Sequence, residues 1–370
     1  MLARPAALTA ADYRDPARLE AERRALFARH WQFVGFTDEL STPGSWLVRE
    51  IAGEPVLVQD FDGELRALRN VCSHRFARLR AGEAGTDGGP LRCPYHGWTY
   101  DRDGVPVGIP GNRECFGLDR EGKRALSLKR YELDRVGRFL FVRVMPGGPP
   151  LADWLGPQAG LLAALSDGMS APFSQEAQPW DANWKVGVEN VLEVYHVDAV
   201  HPDSFRTVVD GSWRVVPSGP HSVGYAGIRP EALRWWEGAG KRLGLMPVDA
   251  LADVEGYVHL LLFPNLAIGV TAGRMMSVQT LEPTGPDSFT LRYRLCLANA
   301  REGASKAAMA AVTSHLAALN SQLLAEDRAV CAAVGAGLRH VDGAALLGVN
   351  EDRIRHFHDI IQGQMADTIP

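Results

Sequence analysis

The chain has 370 residues, 46% of them hydrophobic, with 39 Lys+Arg against 44 Asp+Glu and a net charge of −5. That length supports two domains with cores of their own, and that charge excludes a basic protein built to neutralise nucleic-acid phosphates or an anionic membrane surface. Five cysteines, an odd and sparse set, argue against a disulfide framework.

The first sixteen residues lack the apolar core of a secretory signal. The most apolar stretch, 257–270, is interrupted by Pro264 and Asn265 and is too short to span a bilayer. The expectation is a cytoplasmic protein with no membrane and no nucleic-acid partner.

In chain order, residues 16–31 read as an amphipathic helix, with Leu19, Leu26, Phe27 and Trp31 interleaved with basic residues. From Phe33 the texture turns to short runs rich in Val and Leu: 46–51, 55–59 and 65–69. Asp62-Gly63 between two of them is a hairpin signal, and Asp103-Gly104 repeats it between 98–100 and 105–109. Residues 138–144 make one more strand. The dense Pro and Gly of 145–150 mark a linker. Beyond it, 151–165 and 183–201 read as helical. Strands are expected at 254–263, 266–270, 275–281 and 289–297, then long helices at 304–334 and 351–365. The fold class is α+β. The predicted organisation is an N-terminal helical segment, 1–32, packing on the C-terminal domain; an all-β domain, 33–145; and that C-terminal domain, 146–370.

The β domain contains Cys72-Ser73-His74, eighteen further residues, and then Cys93-Pro94-Tyr95-His96. Each half offers one thiolate and one imidazole. Structural zinc sites commonly group two cysteines in one knuckle and two histidines on a helix. The mixed pairing here fits instead a [2Fe–2S] cluster of the Rieske kind, in which two histidines replace two cysteines on one iron. Neutral imidazoles make such a cluster easier to reduce than an all-cysteine one.

The segment 183–201, NWKVGVENVLEVYHVDAVH, holds Glu189, Glu193, His196 and His201. On a helix, Glu189, Glu193 and His196 share one face. Pro202 disfavours helix at His201, so the helix is expected to end near Ala199 and the chain to turn His201 back toward His196. Two imidazoles so placed suit a metal that takes only part of its coordination from protein. Two histidines and one carboxylate on one face of Fe(II), with positions left open, form the facial triad of non-heme oxygenases.

The stretches CSHR and CPYHGWTY, together with Asn183-Trp-Lys, Glu189-Asn190, Glu193, Tyr195-His196 and His201-Pro202, resemble the motifs of the large (alpha) subunit of Rieske non-heme iron oxygenases. The resemblance runs from about residue 20 to 360. Cytochrome-complex Rieske proteins carry an extra disulfide across the two loops, and here Ala77 and Tyr95 stand at those positions. Two departures are Phe76, where the family usually has glycine, and a slightly long gap between the loops.

The resemblance implies a Rieske [2Fe–2S] domain followed by a helix-grip catalytic domain, with an antiparallel sheet surrounded by helices. It implies Cys72, His74, Cys93 and His96 as cluster ligands. His196 and His201 would bind a mononuclear Fe(II), with Asp327 as third ligand and Glu326 as fallback, and O₂ as co-substrate. It implies that Glu193, with Asn190 beside it in the motif, bridges to a cluster histidine of a neighbouring subunit in a head-to-tail homotrimer. Glu rather than Asp at position 193 is nearest to the choline, glycine betaine and carnitine monooxygenase branch.

With no dinucleotide fingerprint and no second cluster motif in the chain, electrons are expected from a separate NAD(P)H-dependent flavin/ferredoxin-type reductase. The expected activity is hydroxylation or oxidative demethylation of a small organic substrate, a quaternary ammonium compound or an aromatic acid. The alternatives are a cis-dihydroxylating aromatic-ring dioxygenase alpha subunit, or a Rieske electron carrier without oxygenase activity. Phe205, Val209, Leu261, Phe263 and Asn265 are the candidate pocket residues. Trp235-Trp236 is a possible aromatic wall, set against ordinary core packing, and Arg206, Arg229 or Arg234 is a possible carboxylate partner.

Overall fold

The computed structural model describes residues 3–86, 89–251 and 256–366. It comprises two compact units, Arg23–Trp154 and Met1–Glu22 together with Leu155–Pro370. The N-terminal 32 residues thus divide between the units at Glu22.

The Arg23–Trp154 unit is built on a seven-stranded antiparallel sheet. Its strands run Gln32–Phe36, Phe139–Arg143, Arg130–Val136, Glu64–Arg69, Glu54–Phe61, Ser45–Ile51 and Ala84–Thr86 in spatial order. Alternation assigns its two faces. Leu47, Ile51, Val56, Val58, Leu140 and Val142 form one core, and Trp46, Leu57 and Leu68 pack on Cys72, Cys93, Trp98 and Tyr100 in the other. Asp62 and Gly63 make the expected tight hairpin, both with positive φ (55° and 90°), and the Asp60 carboxylate accepts from Gly63 N at 2.9 Å. A three-stranded sheet of Leu91–Arg92, Thr99–Tyr100 and Pro106–Gly108 projects the second Cys/His loop. The helix expected over 16–31 is shorter: α-helical geometry covers Pro16–Glu22, and a π turn follows at Arg23–Phe27.

The second unit holds the other seven-stranded antiparallel sheet. Its strands are β1 (Ser174–Trp180), β2 (Arg214–Ser218), β3 (His221–Gly227), β4 (Gly256–Leu262), β5 (Leu266–Thr271), β6 (Met275–Gly285) and β7 (Ser288–Leu297), in the order β1-β7-β6-β5-β4-β3-β2. The strand expected from Val254 is described from Gly256 onward, its first two residues lying outside the described residues. The strands β1, β2 and β3 are absent from the sequence expectation because their apolar content is low or interrupted by Gly, Pro and Ser. The helices that position the site are α1 (Trp184–Val191), α2 (Val197–Val200), α3 (Pro230–Leu243), α4 (Lys306–Leu338) and α5 (Asp352–Ala366).

Gly187 lets α1 lie close to the sheet: a Cβ there would stand 2.5 Å from the Phe289 ring and 2.6 Å from Leu281. The buried stripe of α4 is Leu316, Asn320, Leu324, Asp327 and Cys331, a 4-4-3-4 spacing that follows one helix face. The N-terminus is tied to this unit. Arg4–Thr9 pairs with Ala344–Leu347, and the fully buried Glu22 carboxylate accepts from Lys185 Nζ at 2.8 Å and Trp184 Nε1 at 2.9 Å.

Candidate metal centres and substrate cavity

The two Cys/His loops fold alike. In the first, Cys72 N donates to Ala77 O at 2.8 Å and Phe76 N to Cys72 O at 3.0 Å. In the second, Cys93 N donates to Trp98 O at 2.8 Å and Gly97 N to Cys93 O at 3.1 Å. Both turns bring their cysteine into the core, where Cys72 and Cys93 are buried and Cys72 Sγ meets the Tyr100 hydroxyl at 3.1 Å. The two imidazoles come together with ring centroids 4.7 Å apart, and His74 stacks on Trp98 at 4.9 Å with planes within 6°. His74 Nδ1 is shielded and has no hydrogen-bond partner, and burial pushes the Cys93 thiol pKa up. Two buried thiols beside two imidazoles, one with an orphaned nitrogen, are the soft donor set that a mixed Cys/His iron–sulfur cluster takes.

The second constellation differs from the expected continuous helix. Asn183 caps α1, its side-chain oxygen accepting from Lys185 N at 2.9 Å. The helix stops at Val191, however, and a turn separates it from α2. The cause is Glu193. Its carboxylate accepts from the backbone N–H groups of Tyr195 and His196, bonds that compete with helical ones. Glu189 therefore does not share a face with His196; it accepts from the Tyr13 hydroxyl at 2.6 Å and lies 2.9 Å from His358 Nε2.

His196, at the start of α2, and His201, just past its end, have ring centroids 5.2 Å apart. Asp327 arrives from α4, with its Oδ1 3.0 Å from His201 Nε2 and 3.8 Å from His196 Nε2. One donor atom from each of the three lies within 4.8 Å of the others. The opposite nitrogens are also held, His196 Nδ1 2.5 Å from Glu193 Oε1 and His201 Nδ1 2.7 Å from Glu326 Oε2. Asn190 Nδ2 donates to Asp327 Oδ1 at 2.9 Å. Burial works to lower the His201 pKa, but Asp327 and Glu326 outweigh it and hold the ring above the ordinary histidine value. Two imidazoles and a carboxylate converging, each braced from behind, form a donor set that fits a divalent metal.

The centre opens into a cavity of about 380 Å³. Strand register supplies its floor: Tyr257 and His259 of β4 stand beside Thr271 and Gly269 of β5, which stand beside Met275 and Ser277 of β6. Phe205, Trp213, Trp235 and Trp236 also line it, so the tryptophan pair faces the cavity. Of the expected pocket residues, Phe205 alone is in the lining. Val209 is buried with Val197 and Ala226, and Leu261 lies deeper in the sheet with 1% exposure. Phe263 packs on Phe357 at 6.1 Å, and Asn265 Nδ2 donates to Leu281 O at 3.0 Å. Leu261, Phe263 and Asn265 serve the core because the sheet is buried on both faces at that end, and Val209, bridged to Ile228 beyond the opposite end of β3, packs in a separate small cluster. Arg206, Arg229 and Arg234 are likewise outside the lining.

No helix among the described residues is long and apolar enough to cross a membrane. Residues 30–132 match the Rieske [2Fe-2S] domain family, and residues 169–367, just over half of the chain, match the family described as ring hydroxylating alpha subunit (catalytic domain). The chain is 32% identical over 200 residues to the glycine betaine monooxygenase oxygenase subunit of Chromohalobacter salexigens, covering 54% of this chain and 44% of that protein. It is 32% identical over 235 residues to the carnitine monooxygenase oxygenase subunit of Escherichia coli, covering 61% of each. The chain spans about half the length of the curated relatives it matches. Its fold superposes on naphthalene 1,2-dioxygenase from Rhodococcus sp. with a TM-score of 0.78 at 20% identity, over 97% of this chain and 94% of that one. With a Rieske [2Fe–2S] domain ahead of a catalytic domain of the mononuclear-iron type, the chain belongs to the ring-hydroxylating alpha subunit family.

Proposed function

We propose that this chain is the terminal oxygenase component of a Rieske monooxygenase that hydroxylates or oxidatively demethylates a quaternary ammonium substrate. The observation that carries this reading is the pairing of Trp235 and Trp236 in the same cavity as His196, His201 and Asp327. Their rings stand edge to face with centroids 4.8 Å apart, and Phe205, Trp213 and Tyr257 extend the aromatic lining. A cation facing such rings gains about 0.5–2 kcal/mol each from the ring quadrupole. Relatives described as glycine betaine and carnitine monooxygenase oxygenase subunits support the same class.

Cys72, Cys93, His74 and His96 would hold the cluster, and His196, His201 and Asp327 the mononuclear iron, with Glu326 behind His201. When bound, the cluster supplies single electrons and the iron activates O₂. The chain's own residues do the rest. The aromatic lining holds the cation and keeps water out. Asn190 holds the Asp327 carboxylate, and Glu193 holds His196 through Nδ1. Glu193 is also the bridge to a cluster histidine of the adjoining subunit in a homotrimer, and a separate NAD(P)H-dependent reductase feeds the cluster.

The test is a coupled assay with reductase, NADH and O₂ against betaines and aromatic acids. Formaldehyde or hydroxylated product from the betaines is expected. A cis-diol from an aromatic substrate, with the betaines untouched, would replace this reading by that of a ring dioxygenase. His196→Ala should abolish product and leave the visible spectrum of the cluster in place; turnover by that variant refutes the assignment.

A further inference from the structure

Arg353, on α5, is a fully buried guanidinium whose hydrogen-bond partners among the described residues include no carboxylate. Its Nε donates to Ser222 Oγ at 2.8 Å, and one terminal nitrogen donates to Ser222 O at 2.9 Å and His259 O at 3.0 Å. Its other terminal nitrogen lies 2.9 Å from His259 Nδ1. The fold makes room for this group. A Cβ on Gly224 would stand 3.0 Å from that nitrogen and 2.2 Å from the Trp213 ring, which itself lies 5.7 Å from the guanidinium carbon.

A guanidinium only donates. His259 Nδ1 must therefore accept, and the ring proton sits on Nε2. Burial, with the Arg353 charge beside it, holds the His259 pKa well below the usual histidine range, so the ring stays neutral. His259 is 4% exposed and lines the cavity. Among the described residues its Nε2 has no hydrogen-bond partner. That N–H faces the cavity, where an incoming acceptor can take it.

We propose that His259 is a substrate-recognition residue whose Nε2–H donates to a carboxylate of the substrate, with Arg353 as the positioning residue that fixes its tautomer. The buried positive charge behind the ring favours an anionic acceptor over a neutral one. The sheet floor then takes a carboxylate while the aromatic lining takes a cation. Resting on the quaternary-ammonium reading, this narrows the substrate to a betaine, a zwitterion, rather than an amino alcohol.

Calorimetric binding to the iron-loaded protein tests it with two pairs, glycine betaine against choline and benzoate against benzyl alcohol. Wild-type protein should bind the carboxylate of at least one pair about tenfold or more tighter than its alcohol. His259→Leu should collapse that ratio to about two or less, His259→Gln should retain part of it, and Arg353→Met should lower it. A carboxylate preference for benzoate without betaine binding sinks the quaternary-ammonium reading and leaves the His259 assignment standing. Wild-type protein with no carboxylate preference in either pair, or His259→Leu protein that keeps one, overturns the assignment. If Arg353→Met does not fold, the two His259 variants decide.

Discussion

Phe76 and Gly97 occupy the same place in the two Cys/His loops, four residues past their cysteines, and both have left-handed backbone, with φ of 61° and 72°. Glycine takes that conformation freely, whereas a residue with a Cβ pays about 1–2 kcal/mol. The departure from the family's usual glycine at position 76 is therefore one of residue type, with the turn itself preserved. The Phe76 side chain is 78% exposed and returns little by packing.

It follows that Phe76→Gly should stabilise the Arg23–Trp154 unit by about 0.5–1 kcal/mol, the relieved backbone exceeding the extra freedom glycine gains in the unfolded chain. Phe76→Ala should not. Urea midpoints of the three proteins check this, and an equal gain from alanine would locate the effect in the side chain instead.

The choice between Asp327 and Glu326 is decided by iron content. Asp327→Ala should lose one iron per chain and retain the two of the cluster. Glu326→Gln should retain that iron but bind it about 10–100-fold more weakly, because Glu326 acts through His201 Nδ1. Metal analysis after graded dialysis against a chelator separates the two. Loss of iron from the Glu326 variant alone would reverse their roles.

Glu22 and Lys185 form an ion pair with neither side chain exposed. Lys185→Met should destabilise the second unit by about 1.5–3 kcal/mol, because it removes one of the two cations on a buried carboxylate and leaves Arg18 Nε, 3.2 Å from Glu22 Oε1, as the other. Adding Glu22→Gln should recover much of that loss. Denaturation midpoints of the single and double variants check it, and additive losses would show that the pair is not coupled.

Glu54 collects Arg69 at 2.7 Å, Lys129 at 3.2 Å and the Tyr131 hydroxyl at 2.8 Å. Partial burial works to raise its pKa, but these donors outweigh it and hold the carboxyl below its usual value. A depressed folded pKa stabilises above the unfolded value of about 4.3 and is lost as pH falls through the folded one. Glu54→Gln should thus cost roughly 1 kcal/mol at neutral pH, shrinking toward zero in acid below about pH 4. A penalty independent of pH would contradict the assignment.

The candidate metal donors were legible in the chain because they come in local pairs. Cys72/His74, Cys93/His96 and His196/His201 each lie a few residues apart, so their spacing alone constrains the metal they suit. The Asp62-Gly63 hairpin was legible for the same reason, since a two-residue turn carries its own backbone requirement. Asp327 was placed only by family likeness. The one signal that could have favoured it over Glu326 is the buried stripe of α4, on which Asp327 falls and Glu326 does not.

Other features depended on long-range register and packing. The break after Val191 required the Glu193 carboxylate to bond backbone N–H groups that helical periodicity counts as helical. The cavity floor required the alignment of β4, β5 and β6, which sets His259 beside Gly269 and Gly269 beside Ser277, while Leu261 and Phe263 lie in the core. Arg353 reaches His259 across 94 residues of chain. Spacing within a loop is a property of a few adjacent residues, but which side chains share a cavity follows from strand pairing and helix packing among segments far apart, and that information appears only when the chain is folded.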